Sequence, residues 1–246
     1  MKANCPILDN ERLDDLELDG LMLIQEKNGY SFTSDSVLLA NYIKAGHKDS
    51  CVELCAGSGV ISLIMGHKKQ PKQLTLVELQ PEQADRARRS FEFNNKQAII
   101  VNSRLQGVHE KIGKYSFDVC YANPPYRQSV LDSSLNKAVA ISTHEIEMTL
   151  EDLIIEAEKL LKFGGKFYVV YPASRLAELI FLLKKYKLEP KNLTIVHPKQ
   201  NKNAEVVLLT AVKGGKDGLV ITPSIIEKDE NNQNTEMMKS IYNSKV

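Results

Sequence analysis

Apolar positions along this chain fall into two rhythms that take turns. Short apolar runs of strand length recur at residues 50–55, 73–79, 97–103, 117–122, 166–171, 193–197 and 205–212. Glycine, proline or polar clusters bound them, as they bound buried strands. Between them, apolar residues take helical spacing over 60–68, 81–95, 150–163 and 173–186. Pro81 sits at a favoured first helical position, and Ala84, Ala87 and Phe91 line that helix's buried face. Arg86, Arg88 and Arg89 on the same helix read as a solvated cluster. Gly164-Gly165 is expected to stop the third helix, and Pro172 to end the strand after it.

The flanks are different. Residues 1–15 are polar and acidic with no clear period, and 16–26 alternates around Asp19-Gly20, a hairpin signal. After the loop 30–35, Ser34 or Asp35 can cap a helix carrying Val37, Leu38, Leu39, Tyr42 and Ile43. Residues 127–148 form a long polar loop, a length that in compact domains usually carries function. Residues 218–226 add a short strand, and the tail from Glu227 is polar with Ile241-Tyr242 as its apolar anchor.

Strands alternating with helices imply an α/β fold with a doubly wound, mostly parallel sheet. No helix separates 193–197 from 205–212, so the last strand is antiparallel. The chain reads as a single Rossmann-like domain over 1–246, with an N-terminal β-hairpin and helix at 1–45, a core at 46–213 and an extension at 214–246. Ligands of such sheets bind outside the strands' C-terminal ends.

The net charge of +1 gives no overall pull towards polyanions, so any such site is a local patch. The start, Met1 to Pro6, leads into polar sequence, and no apolar run has membrane-spanning length. Together with too few cysteines for a disulfide framework, that points to the cytoplasm. Cys51 and Cys55 lie four apart on one expected strand, so packing on a shared face is their expected role. His47, His67, His109 and His144 have no metal-ligand spacing and read as surface or structural residues.

Four strand ends, on one rim, carry candidate chemistry, the third of them with Ser103-Arg104. Glu53-Leu54-Cys55-Ala56-Gly57-Ser58-Gly59 is a strand, a small-residue turn and a helix start, where a ligand can approach the backbone. It is neither a dinucleotide G-x-G-x-x-G nor a P-loop. Glu78 ends the next strand about 20 residues on, where an acid grips a ribose diol. Asn123-Pro124-Pro125-Tyr126 ends the strand 117–122. Proline pushes Asn123 towards extended backbone, and two prolines in succession stiffen the stretch. An amide, a carbonyl and a ring held there suit the grip of a planar amino group.

This constellation, over roughly residues 30–212, resembles the class I S-adenosylmethionine-dependent methyltransferases. Within them it is most similar to the bacterial tRNA1(Val) adenine-N6 methyltransferases, on Asp19-Gly20, Phe32-Thr33-Ser34-Asp35-Ser36-Val37-Leu38-Leu39-Ala40, Leu79-Gln80, His197-Pro198-Lys199 and Ile241-Tyr242. The resemblance implies S-adenosylmethionine held by Phe32, Thr33, Glu53, Cys55, Ala56, Gly57, Ser58, Gly59, Glu78, Leu79, Ser103, Arg104, Leu105 and Asn123. It implies Asn123, Pro124 and Tyr126 as catalytic residues, and tRNA as the substrate. Two departures stand out: Glu53 replaces the commoner aspartate, and Arg104 stands where many relatives carry an acid that binds the cofactor's adenine amine. Arginine cannot accept that bond, so adenine recognition falls to backbone groups around 103–105, or Arg104 faces the tRNA.

For RNA contacts, residues 184–202 hold six lysines against one acid, Glu189. Lys184 to Lys187 reads as a solvated face. The loop 198–204 falls on the active-site rim, so Lys199 and Lys202 are expected to meet phosphate, with Arg127 beside the site. The expected state is a monomer or weak homodimer. Two rivals remain: a protein glutamine-N5 methyltransferase of release-factor type, which would call for a larger helical N-terminal domain, and a non-catalytic RNA-binding protein, which has no use for the amine grip.

Overall fold

The expected apolar runs do become strands. The protein, seen in a computed structural model, is described over residues 6–29, 31–126 and 147–243. β1 (Glu11–Asp15) and β2 (Met22–Glu26) make the N-terminal hairpin, and α1 (Ser34–Tyr42) follows. Then β3 (Ser50–Leu54), α2 (Val60–Lys68), β4 (Gln73–Glu78), α3 (Pro81–Phe93), β5 (Ile99–Asn102), α4 (Val108–Ile112) and β6 (Phe117–Ala122) alternate. α5 (Leu150–Leu160), β7 (Leu161–Pro172), α6 (Leu176–Lys185), β8 (Leu188–Lys199) and β9 (Val206–Lys213) complete the core. β10 (Val220–Ile221), β11 (Ile225–Lys228) and α7 (Glu236–Asn243) form the C-terminal part.

The main sheet runs β10-β8-β9-β7-β6-β3-β4-β5, with β11 also on the edge of β8. β9 is antiparallel to both β7 and β8, and the other neighbours are parallel. The sheet is therefore the mostly parallel α/β sheet expected. Its faces are buried by different helices, so successive strand residues sort into two cores. Val119 and Tyr121 of β6 join Cys51, α1 and α2 on one side. Cys120 and Ala122 join Val52, α5 and α6 on the other. Among the described residues no helix is long and apolar enough to cross a membrane.

Several expectations need correction. The first hairpin strand lies at 11–15, inside the stretch that shows no period, because its buried residue, Glu11, is charged. α1 begins after Thr33 as N-cap rather than after Ser34 or Asp35. The third expected helix stops at Leu160, and β7 already starts at Leu161. Leu160 and Leu161 are both fully buried, so apolar spacing could not say where helix became strand. The pairing of β6 with β7 then slips between Phe117 and Val119, and Gly164 takes a φ of 76° within that irregularity. Cys51 and Cys55 do not share a face: β3 ends at Leu54, Cys55 turns with a φ of 57°, and the two thiols serve opposite cores. α4 had no clear apolar period. His109 on it is structural, as expected, its ring 2.6 Å from buried Glu156.

The arginine cluster is the largest correction. Arg88 is solvated, but Arg86 and Arg89 are buried at 4% and 5% exposure. They hold the hairpin against α3. Arg89 donates two bonds to Glu11, at 2.7 and 2.5 Å, and Arg86 reaches Glu11 and Glu26 at 3.3 and 3.1 Å. Ser90 Oγ and Asn94 Oδ1 accept from the N–H groups of Ile24 and Met22, so side chains of α3 cover the open edge of β2. Burial pushes the Glu11 carboxyl up. The Arg89 hydrogen bond and charge, the Leu8 N–H and Arg86 outweigh it and leave the group below its ordinary value of 4.5.

Removing one partner of a buried ion pair strands the other. Arg89→Ala should therefore cost about 3–5 kcal/mol of stability, read as a shift in the urea midpoint. Because the Glu11 carboxyl titrates lower in the folded chain, its contribution is complete above pH 4.5 and disappears as pH falls through the lowered value. Acid titration of the wild type should lose stability there, and Glu11→Gln should lose less over the same interval.

Candidate active site

Parallel strands end on one rim, and four of them, β3, β4, β5 and β6, deliver polar groups to a single cleft. After β3, Cys55, Gly57 and Gly59 all have positive φ, which makes a tight turn into α2. A Cβ on Gly57 would meet nothing within 4 Å, so this side of the residue faces open space. Gly59 differs: a Cβ there would come within 2.9 Å of Leu76 and 3.2 Å of Ala87. Its role is close packing of α2 on β4 and α3, and it does not line the cleft, contrary to expectation.

Glu78 ends β4 and is buried. One carboxylate oxygen accepts from Gly57 N–H and the other from Gln80 N–H, both at 2.8 Å. The acid is thus locked to the glycine turn, with lone pairs left for a ligand. Burial pushes its carboxyl up, and the N–H groups of Gln80, Gly57 and Leu79 pull it back. Asn102 holds the turn below, donating to the carbonyls of Glu78 and Leu79 at 2.9 Å.

Asn123 and Tyr126 follow β6 and are held from α1. Asn123 Nδ2 donates to Ser36 Oγ at 3.1 Å, and Tyr126 Oη to Asp35 Oδ2 at 3.4 Å. The Tyr126 ring packs edge-on against Tyr171, with centroids 6.3 Å apart. Arg175 lies over Tyr171 and donates to the Tyr126 carbonyl at 3.4 Å. Beneath the cleft, Glu53 accepts from the amide and hydroxyl of Ser62, whose oxygen lies 2.6 Å from the Tyr121 hydroxyl.

Phe32, Thr33, Glu53, Cys55, Ala56, Ser58, Leu79, Ser103, Arg104, Leu105 and Pro124 line the same cleft as Gly57, Glu78, Asn123 and Tyr126. A model of the methyltransferase small domain matches residues 31–186, which span this whole cleft. The chain belongs to the methyltransferase small-domain family. It is an enzyme of that kind. Among similar proteins, one from Dyadobacter fermentans is 25% identical over 229 residues, 89% of this chain and 92% of that protein. One from Porphyromonas gingivalis is 27% identical over 165 residues, 64% of this chain and 63% of that protein. Both are named tRNA1(Val) (adenine(37)-N6)-methyltransferase. The crystal structure of a predicted O-methyltransferase from Agrobacterium tumefaciens superposes with a TM-score of 0.69 at 22% identity, covering 86% of this chain and 97% of that one.

Other residues of this methyltransferase lie apart from the cleft. Lys199 ends β8 and Lys202 follows in the turn, where the Lys202 amide donates to the Lys199 carbonyl and His197 Nδ1 lies 2.9 Å from the Lys202 carbonyl. This loop does reach the active rim, since Val206 pairs with Pro172 at the end of β7. Lys184 is held in ion pairs with Glu189 and Asp217, and Lys185 in one with Glu151. Arg127 lies outside the described residues. Ser36, Gln80, Gln83, Gln106, Glu147 and Met148 also line the cleft and were not foreseen. Ser36 sits in the stretch that carries the resemblance, and Glu147 and Met148 close the stretch 127–148, whose length was their one local signal.

Burial pushes the Glu53 carboxyl up to about 8; the Ser62 hydrogen bonds oppose this and the charge of Glu78 adds to it. A raised acid binds its proton more tightly when folded, so stability falls as pH rises through the interval between 4.5 and about 8. Glu53→Gln should remove that fall. Melting temperatures of the ligand-free protein across this interval, wild type against variant, should diverge with pH and then run parallel.

Proposed function

We propose that this chain transfers the methyl group of S-adenosylmethionine to N6 of an adenine in tRNA, at position 37 of tRNA1(Val), beside the anticodon. One observation carries the reading: Asn123-Pro124-Pro125-Tyr126 opens on the same cleft as the Gly57 turn and the Glu78 carboxylate. The names of the relatives agree with it. The donor set also fits the cofactor. Glu78 offers the acceptors that a ribose diol needs. The buried carboxyls of Glu53 and Glu78, both pushed up by burial, suit a ligand that carries positive charge. When bound, the cofactor supplies an electrophilic methyl on a sulfonium.

The protein's part is to hold and polarise the amine. Adenine N6 is a weak nucleophile because its lone pair is delocalised into the ring. The Asn123 side-chain oxygen and the Pro124 carbonyl accept its two N–H bonds, which turns the lone pair towards the methyl and favours the positive charge developing on nitrogen. Ser36 occupies the Asn123 amide nitrogen, so the oxygen is the group left for the base. The N–H proton leaves to water once the new N–C bond has formed, and no strong base is called for. Tyr126 offers its ring for stacking, worth about 1–3 kcal/mol per base. A loop adenine splays out without extrusion from a duplex. The described N-terminal residues form a hairpin and α1 packed on the core. That supports reading 1–246 as one methyltransferase domain, with 1–45 and 214–246 as extensions of the 46–213 core.

Asn123→Ala should keep cofactor binding and lower single-turnover methyl transfer by about 100- to 1,000-fold, the usual cost of one preorganised transition-state hydrogen bond. Asn123→Asp should retain more activity. Wild-type transfer by Asn123→Ala would end this reading. For the RNA, Lys199→Ala with Lys202→Ala should weaken tRNA binding and flatten its log–log salt slope by about one unit per lost phosphate contact. Cofactor affinity should stay unchanged, and an unaltered slope would remove the two lysines from the interface.

A further inference from the structure

Arg104 and Glu147 form an ion pair at the lip of the cleft, with Nη2 to Oε2 at 2.7 Å, and both residues line it. With the Arg104 side chain 67% exposed, such a pair adds little to stability. Yet Glu147 is carefully placed. Its carbonyl accepts from Gln106 Nε2 at 3.0 Å, and that amide also reaches Asp152 at 3.2 Å. Asp152 and Thr149 close a capping box that starts α5 two residues further on. The second carboxylate oxygen, Oε1, has no partner among the described residues.

Strand order says what this end of the cleft meets. The reacting amine belongs at Asn123 after β6, and the ribose at Glu78 after β4. The neighbours run β6-β3-β4-β5, so a nucleoside extended from the reaction centre through its ribose puts its base over the end of β5. Residues 103–106 and Glu147 lie there. Adenine brings an exocyclic amine that needs an acceptor, and Arg104 can only donate. We propose that the Glu147 carboxylate, held in place by Arg104, accepts a hydrogen bond from the 6-amino group of the cofactor's adenine and so selects an adenosine cofactor over a 6-oxo one. This inference rests on the S-adenosylmethionine reading above. Arg104 is then a positioning residue, which orients the carboxylate and balances its charge.

Calorimetry on the full chain with S-adenosylhomocysteine and its 6-oxo counterpart, S-inosylhomocysteine, decides the matter without any turnover. The wild type should prefer the amino compound by about ten-fold or more, as a hydrogen bond to a charged group implies. Glu147→Ala should bring the two ligands to near parity, mainly by weakening the amino compound. Arg104→Ala should keep a reduced preference. A purely structural Glu147 would lower both affinities together or neither, and an unchanged ratio in Glu147→Ala overturns the inference. It is overturned as well if Gln106→Met, rather than Glu147→Ala, abolishes the preference, because the acceptor is then Gln106. If the wild type binds neither compound, the cofactor reading itself falls.

Discussion

The pairing of β3 with β6 is the constraint on which the site depends. Leu54 lies opposite Ala122 in parallel register, so the two chains leave the sheet side by side. One continues as Cys55-Ala56-Gly57, the other as Asn123-Pro124-Pro125. A register slip in either strand would exchange the residues given to the two cores and separate the Gly57 turn from the Asn123-Pro124-Pro125 stretch. The alternation that places Val119 and Tyr121 on one face and Cys120 and Ala122 on the other pins the register. Burial on both faces thus sets the distance between two functional loops that are 66 residues apart, from Gly57 to Asn123.

The N-terminal extension is the second support. Its hairpin is clamped to α3 by Glu11, Arg86 and Arg89, and its helix α1 packs against α2 in the core. From that anchored position the first turn of α1 offers Ser36 to Asn123 and Asp35 to Tyr126. A segment outside the glycine turn and Glu78 therefore sets the orientation of both Asn123 and Tyr126. Thr33 Oγ1 and Tyr126 Oη both lie against the Asp35 carboxyl, at 3.2 and 3.4 Å. Burial still leaves that carboxyl above its usual range, with the charge of Glu205 adding to the rise.

Much of this was legible along the chain, and for a physical reason. A parallel sheet buried on both faces writes itself as short continuous apolar runs. Left-handed turns call for glycine at particular places, and a strand that must stop stiffly is stopped by proline. So β3, β4 and β6, the turn at Gly57, Glu78 at its strand end and the Asn123-Pro124-Pro125-Tyr126 stretch could all be read locally. So could the antiparallel β9, because no helix separates it from β8.

What sequence could not decide was which charges are buried and which distant residues meet. Arg86 and Arg89 have the composition of a solvated face, and only the docking of β1 and β2 removes them from water. The end of α5 and the start of β7 share buried leucines, so helix and strand could be told apart only by the partner β7 finds in β6. Ser36, Glu147 and Met148 enter the site through pairings 87, 43 and 93 residues apart, with Asn123, Arg104 and Cys55 respectively. The sequence alone determined β3, β4 and β6, the glycine turn and the place of Asn123 at a strand end, because those follow from local sterics and periodicity. Only the tertiary structure decided the ion pairs and the orienting contacts, because charge burial and hydrogen-bond pairing depend on what the fold brings near.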